Sequence, residues 1–215
     1  MPQHNARCQL YLVVESDDGA PARLAAALGA AEVATVLIRA TEGLALEAAA
    51  AKPLVEIARR SGVAALVSGD AALVRASGAD GVHLGSSKNP LAEYQAARAA
   101  LGAENIIGIE AGISRHDAMT LAEAGAEYVA FAAPAHLKDR DKGRERRNEF
   151  VAWWGDIFQV PCVAFDVETV AEAEWLAQAG ADFVAITLSA GLSPADAQAF
   201  VVAIAGAIGA VETAQ

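Results

Sequence analysis

Ser77-Gly78-Ala79-Asp80-Gly81-Val82 recurs in altered form as Ala124-Gly125-Ala126-Glu127-Tyr128-Val129 and again as Ala179-Gly180-Ala181-Asp182-Phe183-Val184. The three copies share one grammar. A glycine stops a helix, a small residue and an acid turn the chain, and an apolar strand begins. Each copy therefore reads as a helix-to-strand junction, and repeated junctions of this kind specify alternating strands and helices.

The rest of the chain fits that reading. Short apolar runs at 10–14, 34–38, 64–67, 82–84, 106–109, 128–132, 162–165 and 183–188 show little polar alternation. Strands covered on both faces of a parallel sheet have this pattern. Between them, helical periodicity covers 22–29, 44–61, 90–101, 114–124, 145–158, 169–179 and 194–211, with Pro53 expected to kink or split the second helix. Asn89 before Pro90 and Ser193 before Pro194 read as N-caps. The stretch 71–76 is too short for a full helix. A doubly wound open sheet uses similar units, but eight strands in so short a chain favour closure, which leaves no exposed edge. The predicted fold is α/β, a (β/α)8 TIM barrel forming a single domain over residues 1–215.

Hydrophobic residues make up 54% of the 215 residues, enough for a large core, and the formal charge is −11. Such an acidic surface predicts no nucleic-acid partner and no binding to anionic membranes. The apolar stretch near the amino terminus is short for a signal peptide, and no run of 18 uninterrupted apolar residues occurs, so the expected compartment is the cytoplasm. Cys8 and Cys162 lie far apart inside apparent strands and read as buried thiols.

In a barrel of this type, function resides where the strands end and the βα loops begin. The polar residues there are Glu15 and Ser16, Arg39 and Thr41, Ser68 and Asp70, His83, Glu110, then Pro134, His136 and Lys138, then Asp166, and finally Thr187 and Ser189. Arg39, Glu110 and Asp166 interrupt otherwise apolar strands facing one rim, which predicts either a mutual charge network or a polar ligand. The candidate catalytic groups are Glu110 and Asp166, as general acid or base. The candidate substrate-binding groups are Arg39, Ser68, Asp70, His83, Lys138 and Ser189. Simpler roles compete with these: an Arg39–Glu15 ion pair, a helix cap at Asp70, an interior histidine at His83. No metal-binding motif is present, and no cofactor is predicted. The run 138–147 holds six of the sixteen basic residues and reads either as a solvated loop plus a helix start or as a lid that closes over an anion. Trp153-Trp154 reads as packing against the barrel or as a contact surface for a homo-oligomer.

The stretch Asp80-Gly81-Val82-His83-Leu84-Gly85 resembles the Asp-Gly-Val-His-x-Gly signature of the thiamin phosphate synthase/TenI family, small barrels of this length. The first strand, Leu10-Tyr11-Leu12-Val13, and the position of Arg39 add to the likeness, which runs over roughly residues 10 to 205. The resemblance implies a reaction that joins a pyrimidine diphosphate to a thiazole phosphate, with magnesium holding the leaving diphosphate. At the family's functional positions the chain differs. Ser68-Gly69 replaces Asn-Asp, with Asp70 one residue late, and Lys88 replaces a magnesium carboxylate. Leu37 and Thr41 replace a glutamine and a lysine, and Glu110 replaces a serine. The stretch Pro134-Ala135-His136-Leu137-Lys138 replaces the Pro-Thr-x-Thr-Lys loop, and Asp166-Val167 replaces a phosphate-binding glycine pair. The histidine that TenI-type tautomerases use after strand five has no counterpart at Gly112-Ile113.

These departures predict a divergent member that lacks magnesium. It binds a small anionic ligand, phosphorylated and related to thiamin, and the synthase reaction is lost or altered. Two alternatives stay open: a thiamin phosphate synthase or thiazole tautomerase with a compensated site, and a non-catalytic barrel that senses a ligand or binds a partner.

Overall fold

The computed structural model describes residues 8–134 and 137–213. In chain order the elements are β1 (Gln9–Ser16), α1 (Ala20–Leu28), β2 (Thr35–Ala40), α2 (Ala48–Arg60), β3 (Ala64–Ser68), α3 (Ala71–Ser77), β4 (Gly81–Leu84) and α4 (Pro90–Leu101). They continue as β5 (Ile106–Glu110), α5 (Arg115–Glu123), β6 (Tyr128–Phe131), α6 (Arg140–Ile157), β7 (Cys162–Ala164), α7 (Val170–Gln178), β8 (Phe183–Leu188) and α8 (Pro194–Thr213). Every strand pairs in parallel with its sequence neighbours and β1 closes on β8, so the sheet is a closed (β/α)8 TIM barrel rather than an open doubly wound sheet.

The repeated junction has a physical reason. Gly78, Gly125 and Gly180 hold positive φ of 75°, 94° and 95°, which reverses the chain at little steric cost. The acid that follows then reaches back to an amide of the preceding strand. Asp80 Oδ2 accepts from the Ala65 amide at 2.8 Å, Glu127 Oε2 from Ile107 at 2.7 Å, and Asp182 Oδ2 from Cys162 at 2.7 Å. Each carboxylate satisfies an amide at the bottom of strand n from the chain about to enter strand n+1.

Two layers of side chains fill the fold. Inside the barrel, Tyr11, Val13, Leu37, Leu66, Tyr128, Ala130, Val163, Phe165 and Ala185 pack together. Outside it, the other strand face packs on the helices, which is why the strands read as continuous apolar runs. Two glycines permit the close approaches this demands. A Cβ on Gly81 would lie 2.0 Å from the Ile106 carbonyl oxygen, and one on Gly108 would lie 1.8 Å from Cζ of Tyr128.

Several boundaries differ from the sequence expectation. Pro53 does not break α2, because burial of Ala51, Leu54, Val55 and Ala58 outweighs the one hydrogen bond that proline removes. The stretch after Asp70 does form a helix, α3, capped by the Asp70 carboxylate and ended by Gly78. The basic run is no free loop. Asp139 caps α6 at its own start, Oδ1 accepting from the Asp141 and Lys142 amides, so Arg140 to Arg147 are helical. Trp154 is fully buried, its indole donating to the Val160 carbonyl at 2.7 Å, while half-buried Trp153 lies 4.8 Å from the Arg115 guanidinium. Cys8 and Cys162 are both buried, and neither forms a disulfide among the described residues. Helix α8 has the length and mean hydropathy (1.5 over Pro194–Val211) of a membrane span. Ala197, Val201, Ile204 and Ile208 nonetheless recur at helical spacing and are buried, so it forms part of the barrel wall.

Replacing Asp182 with alanine should cost about 1–3 kcal/mol, because the Cys162 amide is left buried without an acceptor. Gly108→Ala should cost about as much through overpacking against Tyr128. Urea unfolding midpoints of the two variants against the parent protein measure both effects.

Candidate functional site

Two clefts of about 670 Å³ each open at the C-terminal mouth and share Arg39 and Ser68. The larger group of candidate residues meets in one of them, the central cleft: Arg39, Ser68, His83, Glu110 and Asp166 all line it. Asp70 lines only the second cleft, beside Thr41 and the loop that ends at α2. Its Oδ1 accepts from the Leu73 amide at 2.9 Å, so it serves as the α3 cap. Lys138 and Ser189 are exposed and line neither cleft. His136 lies outside the described residues.

The barrel register sets the charge pairing on the rim. Glu15 and Arg39 are partners across β1 and β2, and Arg39 Nη2 donates to Glu15 Oε1 at 3.0 Å. The other carboxylate oxygen of Glu15 accepts from the Ala190 amide at 2.9 Å, and Asp17 Oδ2 accepts from the Gly191 amide at 3.1 Å. The loop after β8 is thereby tied to the loop after β1. Arg39 does not pair with Glu110 or Asp166, so the mouth stays open rather than closing as a salt-bridge plug.

Two buried arginines, neither read from the sequence as a site residue, hold the loops from behind. Arg23 of α1 donates to the Glu15 carbonyl at 2.8 Å and pairs with Asp17 at 2.9 Å. Arg147 of α6 donates to the carbonyls of Phe165 and Asp166, at 2.7 and 3.1 Å, and pairs with Glu172. The only sequence signal for them is a charge on a helix face that turns inward.

Asp166 adopts φ +58°, the one non-glycine residue with positive φ among the described residues. That backbone costs an L-residue roughly 1–2 kcal/mol, and aspartate tolerates it better than most. The conformation is held by the Arg147 bond to its carbonyl and by its own Oδ2, which accepts from the Ala133 amide at 3.3 Å. Glu110 lines the same cleft. Burial, and secondarily the Asp166 carboxylate, raise its carboxyl above the ordinary carboxylate range, while a backbone hydrogen bond from Ser86 works in the opposite direction. A carboxyl so placed can hold or release a proton at a bound ligand.

Below them the cleft floor is aromatic. His83 stacks on Phe165, with centroids 4.9 Å apart, and on Tyr128 at 5.9 Å. Its Nδ1 lies 3.0 Å from the Tyr128 hydroxyl, which lies 2.9 Å from the Tyr11 hydroxyl. Burial lowers the imidazole to about 4, with the Arg39 charge acting the same way, so the ring is neutral at pH 7. Tyr11, Tyr128 and Phe165 were missed as site residues because an aromatic in an apolar strand is indistinguishable from core.

No three histidine, cysteine, aspartate or glutamate side chains converge as a metal site among the described residues. Asp70 is committed to capping, and position 88 is an exposed lysine. The protein groups present do not fit a magnesium cage.

The geometry defines a class: a (β/α)8 barrel whose loops frame a ligand cleft at the C-terminal mouth, with paired acids on the rim and a neutral histidine on the floor. A family model for thiamine monophosphate synthases matches residues 10–190, and the chain belongs to that family. The chain is 39% identical over 208 residues to a thiamine-phosphate synthase from Erythrobacter litoralis, covering 93% of this chain and 96% of that one. It is 38% identical over 187 residues to a thiamine-phosphate synthase from Rhodospirillum centenum, covering 83% and 87%. A thiamine phosphate pyrophosphorylase from Pyrococcus furiosus shares the fold at a TM-score of 0.73 and 18% identity, covering 96% of this chain and 98% of that one.

A histidine whose folded pKa is depressed disfavours the native state once pH falls below its unfolded value near 6.5. His83 should therefore cost about 3 kcal/mol of stability as pH falls from 6.5 to about 4, the unfolded chain binding the extra proton. Unfolding midpoints between pH 7 and 4.5 should fall less steeply for His83→Gln than for the parent protein.

Proposed function

We propose that the protein is a thiamin phosphate synthase with a rebuilt rim, acting in the cytoplasm on small phosphorylated substrates. The observation that carries this reading is the 39% identity to a relative of that name across 93% of the chain. It favours the alternative of a synthase with a compensated site over the expectation, drawn from the altered motifs, that the synthase reaction is lost or altered. In the proposed reaction the bond between the pyrimidine methylene carbon and the diphosphate oxygen breaks, and diphosphate leaves with the electron pair. The thiazole nitrogen then bonds to that carbon.

Two clefts of equal volume meeting at Arg39 and Ser68 suit a reaction with two substrates. Arg39 is the only arginine or lysine lining the central cleft among the described residues, and in this reading it would draw the departing anion toward that seam. Glu110 and Asp166 would face the heterocycles rather than the phosphates, since a phosphate beside them meets like charge. No step is assigned to a metal.

Incubation of the purified protein with the pyrimidine diphosphate and the thiazole phosphate, with and without magnesium, should yield thiamin phosphate and diphosphate. Glu110→Gln and Asp166→Asn should each lower the rate by about 10²-fold or more. Absence of product together with no rise in unfolding midpoint for either substrate would overturn the assignment. A ligand at about 100 times its Kd should add ~2.7 kcal/mol, a readily visible shift.

A further inference from the structure

The aromatic floor contains a hydrogen-bond chain whose direction follows from counting protons. Tyr11 and Tyr128 each carry one hydroxyl hydrogen, and their oxygens are 2.9 Å apart. Tyr128 Oη is 3.0 Å from His83 Nδ1. If His83 donated from Nδ1, Tyr128 would either keep a hydrogen with no acceptor, its oxygen accepting from Tyr11 as well, or pass that hydrogen to Tyr11. The Tyr11 hydroxyl, 1% exposed, would then point its hydrogen at no acceptor among the described residues. A buried donor left unpaired is costly, and the reverse direction leaves none. Tyr11 then donates to Tyr128, and Tyr128 donates to His83 Nδ1.

A neutral imidazole that accepts at Nδ1 carries its hydrogen on Nε2. His83 is 6% exposed and lines the central cleft. The one buried side-chain nitrogen or oxygen without a partner among the described residues is Nε of Arg23. Nε2 of His83, which makes none of the hydrogen bonds described above, is therefore open to the cleft. We infer that Tyr128, backed by Tyr11, is a positioning residue that locks His83 as the Nε2–H tautomer, so that the cleft floor offers a fixed donor to an acceptor atom of the ligand. The acceptor is a ring nitrogen or an uncharged or anionic oxygen. A cationic donor group is rejected there and goes to Glu110 and Asp166 instead.

Gly108 is part of the device. With any side chain at that position the Tyr128 ring is displaced, since even a Cβ would lie 1.8 Å from its Cζ. The groups facing His83 are Tyr128 from β6, Phe165 after β7 and the Arg39 guanidinium from β2. The Tyr128 hydroxyl is engaged at Nδ1, so none of these takes a hydrogen from Nε2 except through a ring face.

This inference deepens the synthase reading, but its first test does not depend on it. Long-range ¹H–¹⁵N correlation spectra of the ligand-free protein at pH 7, assigned with His83→Gln, should show Nδ1 of His83 unprotonated and Nε2 protonated. Tyr128→Phe should abolish the preference and give mixed tautomers, whereas Tyr11→Phe should keep it. A wild-type ring protonated at Nδ1, or a tautomer unchanged in folded Tyr128→Phe, overturns the lock. Addition of the pyrimidine diphosphate should move the Nε2–H proton resonance downfield. Binding of that ligand without such a shift overturns the donor role. A locked tautomer in a protein that forms no thiamin phosphate would sink the synthase reading and leave the lock standing.

Discussion

The structure depends on carboxylates that reach backward. At three junctions an acid entering one strand accepts a hydrogen bond from an amide at the foot of the strand before it. A parallel pair has no hairpin to set its register, and a slip of one residue would turn every inward side chain outward. The stitches made by Asp80, Glu127 and Asp182 hold β3 to β4, β5 to β6 and β7 to β8 in the register that faces His83, Tyr128 and Phe165 inward. The floor of the cleft is thus fixed from the opposite end of the barrel.

The mouth is organised by a different device, the buried arginine. Arg23 and Arg147 extend from α1 and α6, and each donates to backbone carbonyls at a strand end, Arg23 to Glu15 of β1 and Arg147 to Phe165 and Asp166 just after β7. Such a guanidinium can be buried when a carboxylate is also present, as Asp17 and Glu172 are, although Nε of Arg23 is left without a partner among the described residues. Such clamping explains how Asp166 sustains a left-handed backbone. Several bonds converge on its loop, and together they over-determine a conformation that aspartate alone would not choose. Arg39 and Arg23 pair with Glu15 and Asp17, and among the described residues no cation pairs with Glu110 or Asp166.

The site was only partly legible. Glu110, Asp166, Arg39, Ser68 and His83 stand out in the sequence as polar interruptions of apolar strands, and they do meet around one cleft. Asp70 and Lys138 stand out for the same reason but are drawn elsewhere, one to cap α3 and the other to an exposed position before α6. The basic run looked like a loop because its charge density hid the Asp139 cap, which starts the helix early and sends Arg147 inward. The altered family motifs pointed to a lost or altered reaction, whereas relatives bearing the synthase name pair with this chain along most of its length.

The amino-acid sequence by itself determined the barrel, since strand burial on both faces and repeated helix-to-strand junctions are local patterns with one closed solution at this chain length. It also marked which strand ends carry charge. The tertiary structure decided what each of those groups does. Whether Arg39 meets Glu15 or Glu110, whether His83 is charged, and which of its nitrogens bears the hydrogen depend on neighbours brought from other strands. Tyr11, His83 and Tyr128 are separated by 45 or more residues in the chain, and only closure of the barrel places their polar atoms within hydrogen-bond distance. Electrostatics and proton placement are set by distance in space, which the order of residues does not encode locally.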